Sequence, residues 1–178
     1  MSLHASIRPA TGEDALCLQV LGMQVFLDTY ATGGISPVLA REVLRAFSRE
    51  SIEANLIRSD MRVQVAEREG HLAGFTQTIL DAGHELVASA APAKLDRIYV
   101  QKPFMGGSVG KELLKAAEAV AREAGATHLW LMCWHGNRRA LRFYMRNGFT
   151  DRGAAYYRME DEEHENRVLA KPLAENAA

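Results

Sequence analysis

Cysteine is scarce in this chain of 178 residues: two thiols, Cys17 and Cys133, lie far apart in separate apolar stretches. That number and spacing exclude a disulfide framework and a cysteine metal site, and they predict two buried, reduced thiols. No metal cofactor is expected. Charge of one sign is lacking too, since 21 Lys and Arg face 22 Asp and Glu for a formal net charge of −1. The chain therefore has no basic footprint for nucleic acid or for an anionic membrane. A small cationic or neutral substrate suits that balance better. Long hydrophobic runs are also missing. The opening MSLHASIRPATGEDA contains no apolar core of a signal peptide, and Ala15 to Leu27 is interrupted by Gln19 and Gln24. A cytoplasmic location is expected.

What is present is the composition of a soluble globular protein, 48% hydrophobic and 24% charged. The length suits one core, so residues 1–178 are expected to form a single domain. Ala5 to Arg8 reads as a short strand ended by Pro9. Thr11, three residues before Asp14, resembles a capping box, and Leu16, Val20, Met23 and Leu27 then predict the core-facing stripe of a helix. Ser36-Pro37 opens a second helix, expected to run unbroken to Ser59 and to bury Val38, Leu44, Phe47, Ile52 and Leu56. Arg62 to Glu67 and Leu72 to Leu80 predict a hairpin turning at Glu69-Gly70. Residues 81–93 then form a long loop rich in small residues, of the kind that lines functional sites.

Past this loop the pattern becomes strand, glycine turn, helix, strand, helix. The strand is Leu95 to Val100. The helix from Gly110 to Glu123 is expected to bury Leu113, Leu114, Ala117 and Val120, with Gly125 as its C-terminal cap residue. Leu129 to Trp134 is apolar on both faces, which predicts an interior strand. Asn137 starts a helix that ends at Asn147-Gly148. Strands Phe149 to Tyr157 and Asn166 to Lys171 close the chain, joined by the acidic connection Glu160 to Glu165. The order predicts an α/β (α+β) fold, a mixed and mostly antiparallel central sheet of six to seven strands flanked by helices.

The glycine turn Met105-Gly106-Gly107-Ser108-Val109-Gly110-Lys111 carries the chemistry. A strand that runs through such a turn into a helix offers free N–H groups and a positive dipole end to phosphate oxygens. Two familiar phosphate loops fail here. Gly106 and Gly110 enclose three residues where a Walker A loop needs four, and Glu112 follows Lys111 where a hydroxyl is required. A dinucleotide fingerprint needs a glycine where Met105 stands.

The loop, with the segments around it, resembles the GNAT superfamily of N-acetyltransferases. Val100-Gln101-Lys102-Pro103 leads into the turn. Asn137, Ala140, Phe143-Tyr144 and Gly148-Phe149 follow the superfamily's next strand and helix, and IRPATGED stands near the N-terminus. Met105 replaces the usual Gln or Arg of the loop, and Ser108 replaces its central glycine. The resemblance implies the GNAT acyl-CoA N-acyltransferase fold, with acetyl-CoA as co-substrate. It implies that Ile98, Tyr99 and Val100 pair with the pantetheine arm, and that Met105, Gly106, Gly107, Ser108, Val109, Gly110 and Lys111 hold the pyrophosphate. Asn137 would bond the pantetheine arm. Tyr144 would protonate the departing thiolate, for which a phenol is suitably basic.

Asp96 is the candidate general base. His135 or a chain of waters are the alternatives. Arg138, Arg139, Arg142 and Arg146 read as a solvated helix face, or as contacts to the 3′-phosphate. Several stretches, among them Arg97 to Val100 and Phe26-Leu27-Asp28-Thr29-Tyr30, are similar to the PaiA-type polyamine acetyltransferases. That similarity implies Phe26, Tyr30, His84 and Glu85 as substrate contacts. The expected reaction is acetyl transfer to a primary amine of a small, polyamine-like or other amine acceptor, by direct attack in a ternary complex. A catalytically silent acetyl-CoA-binding module, and acetylation of a protein or peptide amine, stand as alternatives. A homodimer is a further expectation, and neither a nucleic-acid nor a membrane partner is.

Overall fold

The computed structural model describes residues 5–173. Among them, seven strands form one sheet in the order β1-β2-β3-β4-β5-β7-β6, with helices flanking it. The strands are β1 (Ser6–Pro9), β2 (Met61–Arg68), β3 (His71–Ile79), β4 (Pro92–Val100), β5 (His128–Trp134), β6 (Thr150–Met159) and β7 (Glu162–Pro172). The helices are α1 (Ala15–Tyr30), α2 (Pro37–Ala46), α3 (Arg49–Ile57), α4 (Val109–Glu123) and α5 (Arg138–Arg146). The chain divides into two compact units, Met1–Thr78 with Arg97–Ala117 and Ile79–Asp96 with Glu118–Ala178.

In the first unit, β1 lies antiparallel to β2, with Ser6 opposite Glu67. The entry to α1 is clamped. The Arg8 guanidinium donates to both Asp14 carboxylate oxygens at 2.8 and 2.9 Å and to Glu67 at 2.8 Å. Asp14 also accepts from the Thr11 N–H at 2.8 Å, and the anticipated capping box is present. The Arg8 guanidinium holds the buried Asp14 carboxyl down at about 2, below its ordinary 3.8.

The stripe expected on α1 faces the wrong way. Leu16 and Val20 are 67% and 59% exposed, and the buried face is Leu18, Leu21, Gly22 and Val25. Alpha-helix α1 is apolar around most of its circumference, so spacing alone does not select a face. Gly22 does: a Cβ there would stand 2.3 Å from the Phe47 ring, so only glycine lets Phe47 seat against this helix.

The helix expected from Pro37 to Ser59 is two. After Phe47, Ser48 adopts extended dihedrals and its hydroxyl accepts from the Ser51 N–H at 3.1 Å, a fresh N-cap. The break leaves Leu44 exposed rather than buried, while Phe47 and Ile52 are in the core. The β2–β3 turn is as expected, with Glu69 and Gly70 at φ 52° and 79°, the left-handed pair that a two-residue hairpin turn requires.

In the second unit, β5 runs parallel to β4, pairing Lys94 with Trp130, and antiparallel to β7 along its whole length. Interior placement accounts for its two apolar faces. Beta-strand β7 starts at Glu162, so most of the acidic stretch is strand and the connection shrinks to Glu160-Asp161, with Glu160 at φ 49°. The ladder to β6 supplies hydrogen bonds that override the poor strand propensity of glutamate. Glu118 of α4 is buried and bonds Lys171 at 2.6 Å and Arg122 at 3.1 Å. Cys133 is buried, but Cys17 is exposed on α1, which corrects the expectation of two buried thiols. Burial alone pushes the Cys133 thiol up to about 12, so it stays protonated. Among the described residues, no helix is long and apolar enough to cross a membrane.

Candidate active site

Four groups of predicted site residues are distributed over the two units. The first is the turn into α4. Gly106 sits at φ 86° with nothing within 4 Å of where a Cβ would be, and both Gly106 and Gly107 are exposed. The Glu112 N–H bonds the Ser108 carbonyl at 2.9 Å. Ser108 is therefore the N-cap residue of a 15-residue helix. Among the described residues, no hydrogen bond reaches the N–H groups of Val109, Gly110 and Lys111. Those donors, with the helix dipole behind them, fit the pyrophosphate of a coenzyme A. Underneath, Val109 and Leu113 anchor the turn in a small core with Ala66, Ala73, Ile98, Val100 and Phe104.

The second group is the backbone of Ile98 to Val100, at the end of β4. Gly74 of β3 lies so close that a Cβ there would stand 2.5 Å from the Tyr99 carbonyl. Glycine at 74 is what allows this approach.

The third group lies on the turn from β5 into α5. Gly136 packs under the Trp134 indole, where a Cβ would come within 2.5 Å of the ring. Asn137 is the N-cap, and its Oδ1 accepts from the Ala140 N–H at 3.1 Å. Its Nδ2 is a donor group. Tyr144 is buried, with its ring 5.3 Å from Phe143 and 5.7 Å from Phe149. His135 is exposed, its Nδ1 3.3 Å from the Glu165 carbonyl. Arg138, Arg139, Arg142 and Arg146 are all exposed.

The fourth group is the expected acceptor contacts, which fall into two separate sets. Phe26 and Tyr30 belong to the first unit and touch, rings 4.6 Å apart. Phe26 continues to Phe47 at 5.9 Å, Phe47 to Tyr99 at 5.9 Å, and Tyr99 to Phe75 at 5.4 Å. His84 and Glu85 belong to the second unit. The His84 ring lies 4.9 Å from Trp130, and its Nδ1 accepts from the Leu86 N–H at 3.1 Å. Trp130 tethers that loop by donating to the Ala82 carbonyl at 2.6 Å. Glu85 is exposed. Asp96, also in this unit, takes the Lys94 ammonium at 2.7 Å.

The contacts of Phe47 with Tyr99, of Trp130 with His84 and of Gln77 with Arg97 join residues distant in sequence and were not anticipated. Phe47 and Trp130 read as ordinary core residues. Gln77 alone carried a signal, as a large polar side chain inside the apolar run of β3.

The Acetyltransferase (GNAT) family model matches residues 34–149. The chain belongs to the GNAT acetyltransferase family. It is thus an acyltransferase with the mixed, helix-flanked sheet of that fold, and acetyl-CoA is the family's co-substrate. Among curated relatives, the spermidine N(1)-acetyltransferase of Thermoplasma acidophilum is 24% identical over 83% of this chain and 89% of its own. The aminoalkylphosphonate N-acetyltransferase of Salmonella typhimurium is 30% identical over 65% of this chain and 73% of its own. Among solved structures, the PaiA N-acetyltransferase of Thermoplasma acidophilum in complex with coenzyme A superposes at a TM-score of 0.79 and 23% identity, covering 97% of this chain and 99% of that one.

Proposed function

We propose that this chain transfers the acetyl group of acetyl-CoA to a primary amine of a small-molecule acceptor, by direct attack in a ternary complex. The observation that carries the reading is the uncapped start of α4, with the N–H groups of Val109, Gly110 and Lys111 behind two exposed glycines. Met105 to Lys111 act as a largely backbone cradle for the pyrophosphate. Main-chain groups of Ile98 to Val100 hold the pantetheine arm and polarise the thioester carbonyl. Asn137 helps through Nδ2, because its Oδ1 is committed to the helix. Tyr144 delivers a proton to the leaving sulfur, and Asp96 or a water chain removes one from the attacking nitrogen. The relatives' acceptors differ in charge, spermidine in one and an aminoalkylphosphonate in the other. Both are primary amines, and Phe26, Tyr30, His84 and Glu85 are the acceptor contacts in this reading. The polyamine-like acceptor draws its support from the spermidine enzyme.

One domain over residues 1–178, a cytoplasmic location and a homodimer complete the reading; sedimentation velocity checks the last. The central test is CoA release over a panel of primary amines. Tyr144→Phe keeps the packing against Phe143 and Phe149 and should lower kcat about 100-fold, in the range of lost general-acid catalysis. Tight acetyl-CoA binding with no CoA release across the panel would overturn acetyl transfer.

A further inference from the structure

One guanidinium of the first unit is set against an aromatic ring and left without a counter-ion. Arg68 ends β2, and its guanidinium lies 6.0 Å from the centroid of the Phe104 ring. The residue is half-buried. Among the described residues its side chain has no hydrogen bond and no ion pair. The carboxylates next to it in sequence do not serve it. Glu67 is taken by Arg8 at 2.8 Å, and Glu69 is exposed in the hairpin turn. A half-buried cation without a partner has lost hydration and gained no opposite charge, so an anion beside it is favoured.

Phe104 fixes where that anion lies. It stands two residues before Gly106 and packs on the small core that holds Val109 and Leu113 of α4. Arg68 is therefore one aromatic ring away from the turn whose N–H groups are unbonded. The turn itself brings no guanidinium: Met105 is apolar, and Lys102 and Lys111 on either side are exposed.

Resting on the placement of the pyrophosphate at α4, we propose that Arg68 binds the ribose 3′-phosphate of acetyl-CoA. Backbone N–H groups suffice for the pyrophosphate, but they leave the remaining phosphate of the coenzyme unmet. A phosphate monoester carries about −1.5 to −2 charge at pH 7, and the planar fork of an arginine matches its oxygens. Stacking on Phe104 leaves the in-plane donors open and orders the side chain in advance, which reduces the entropy lost on binding. Arg138, Arg139, Arg142 and Arg146 of α5, the candidates for this phosphate by sequence, are all exposed.

The test uses the full chain and calorimetry with CoA and dephospho-CoA, which differ in the 3′-phosphate alone. Wild type should bind CoA about tenfold more tightly, as expected for one charge-assisted contact. In Arg68→Met that ratio should fall toward one, with dephospho-CoA bound as in wild type and circular dichroism unchanged. Arg68→Lys should keep part of the ratio, because the charge stays and the fork is lost. The same ratio in wild type and Arg68→Met overturns the proposal. So does an equal loss for both ligands, which would put Arg68 at the pyrophosphate or in the scaffold. A ratio lost in Arg142→Met and kept in Arg68→Met gives the phosphate to α5 instead. If wild type binds CoA and dephospho-CoA alike, this proposal alone fails. If it binds neither, the coenzyme reading fails and takes the proposal with it.

Discussion

Helices α4 and α5 begin alike, each after a strand and a glycine-bearing turn, but their first turns are completed in different ways. At α5 the Asn137 side chain closes the helix from within by accepting the Ala140 N–H. At α4 the N-cap is Ser108, and among the described residues no group takes the N–H groups that follow. A third start, at α1, is closed by charge, through the Arg8–Asp14–Glu67 cluster. Unsatisfied helix-terminal donors are a standing demand for a partner. Two of these starts meet it internally and so belong to the scaffold. The one that does not is where an anionic ligand gains most. The contrast is what supports the proposed placement of the cofactor pyrophosphate at α4.

The largest effect that would sharpen this contrast is at α1. The folded-state pKa of Asp14, about 2, lies below its ordinary 3.8, so the ionised carboxylate favours the folded state. Its stabilisation is complete above pH 4 or so and is lost as pH falls through about 2. Asp14→Asn should cost about 2 kcal/mol near neutral pH, read by urea denaturation, and should flatten the acid limb of the stability curve. An unchanged acid limb would show that the clamp is not what holds this start.

Next is the ligand side. Gly106→Val forces a β-branched residue to φ 86°. The strain of about 1–2 kcal/mol should lower the melting temperature of the free protein by a few degrees where the turn keeps its shape, and should weaken acetyl-CoA binding up to roughly tenfold by calorimetry where the turn relaxes instead. Equal affinity with an unlowered melting temperature would break the claim that this turn is the cradle. Then comes the capped start: Asn137→Ala should lose about 1 kcal/mol of thermal stability. The smallest effect should be that of Ser108→Ala. With no side-chain bond to lose, its stability change should stay within about 0.5 kcal/mol, and any larger effect should appear in acetyl-CoA affinity. A full cap-sized loss in the free protein would mean that α4 and α5 start alike after all.

Much of the molecule was legible in the sequence wherever its cause is local. The Glu69-Gly70 turn, the Gly125 cap residue, the Asn137 start and the strand-to-turn-to-helix pattern at Met105 to Lys111 all came out as read. Each depends on dihedrals and hydrogen bonds within about four residues. The misreadings have a common origin. Spacing points Leu16 and Val20 into the core, predicts one helix from Pro37 to Ser59, and puts Glu162 to Glu165 in a connection rather than a strand. In each case a partner distant in sequence decides.

The chain by itself therefore determined its family, the order of its strands, and the helix starts after the glycine turn and at Asn137, because residue type and short spacing carry those motifs. Tertiary structure alone decided which side of α1 is buried, through Phe47 pressing on Gly22 across 25 positions. It also decided that β7, not β6, lies beside β5. And it set Gln77 against Arg97, twenty residues away, inside a wall of aromatic rings. Burial and long-range pairing are properties of the packed chain, and no local pattern announces them.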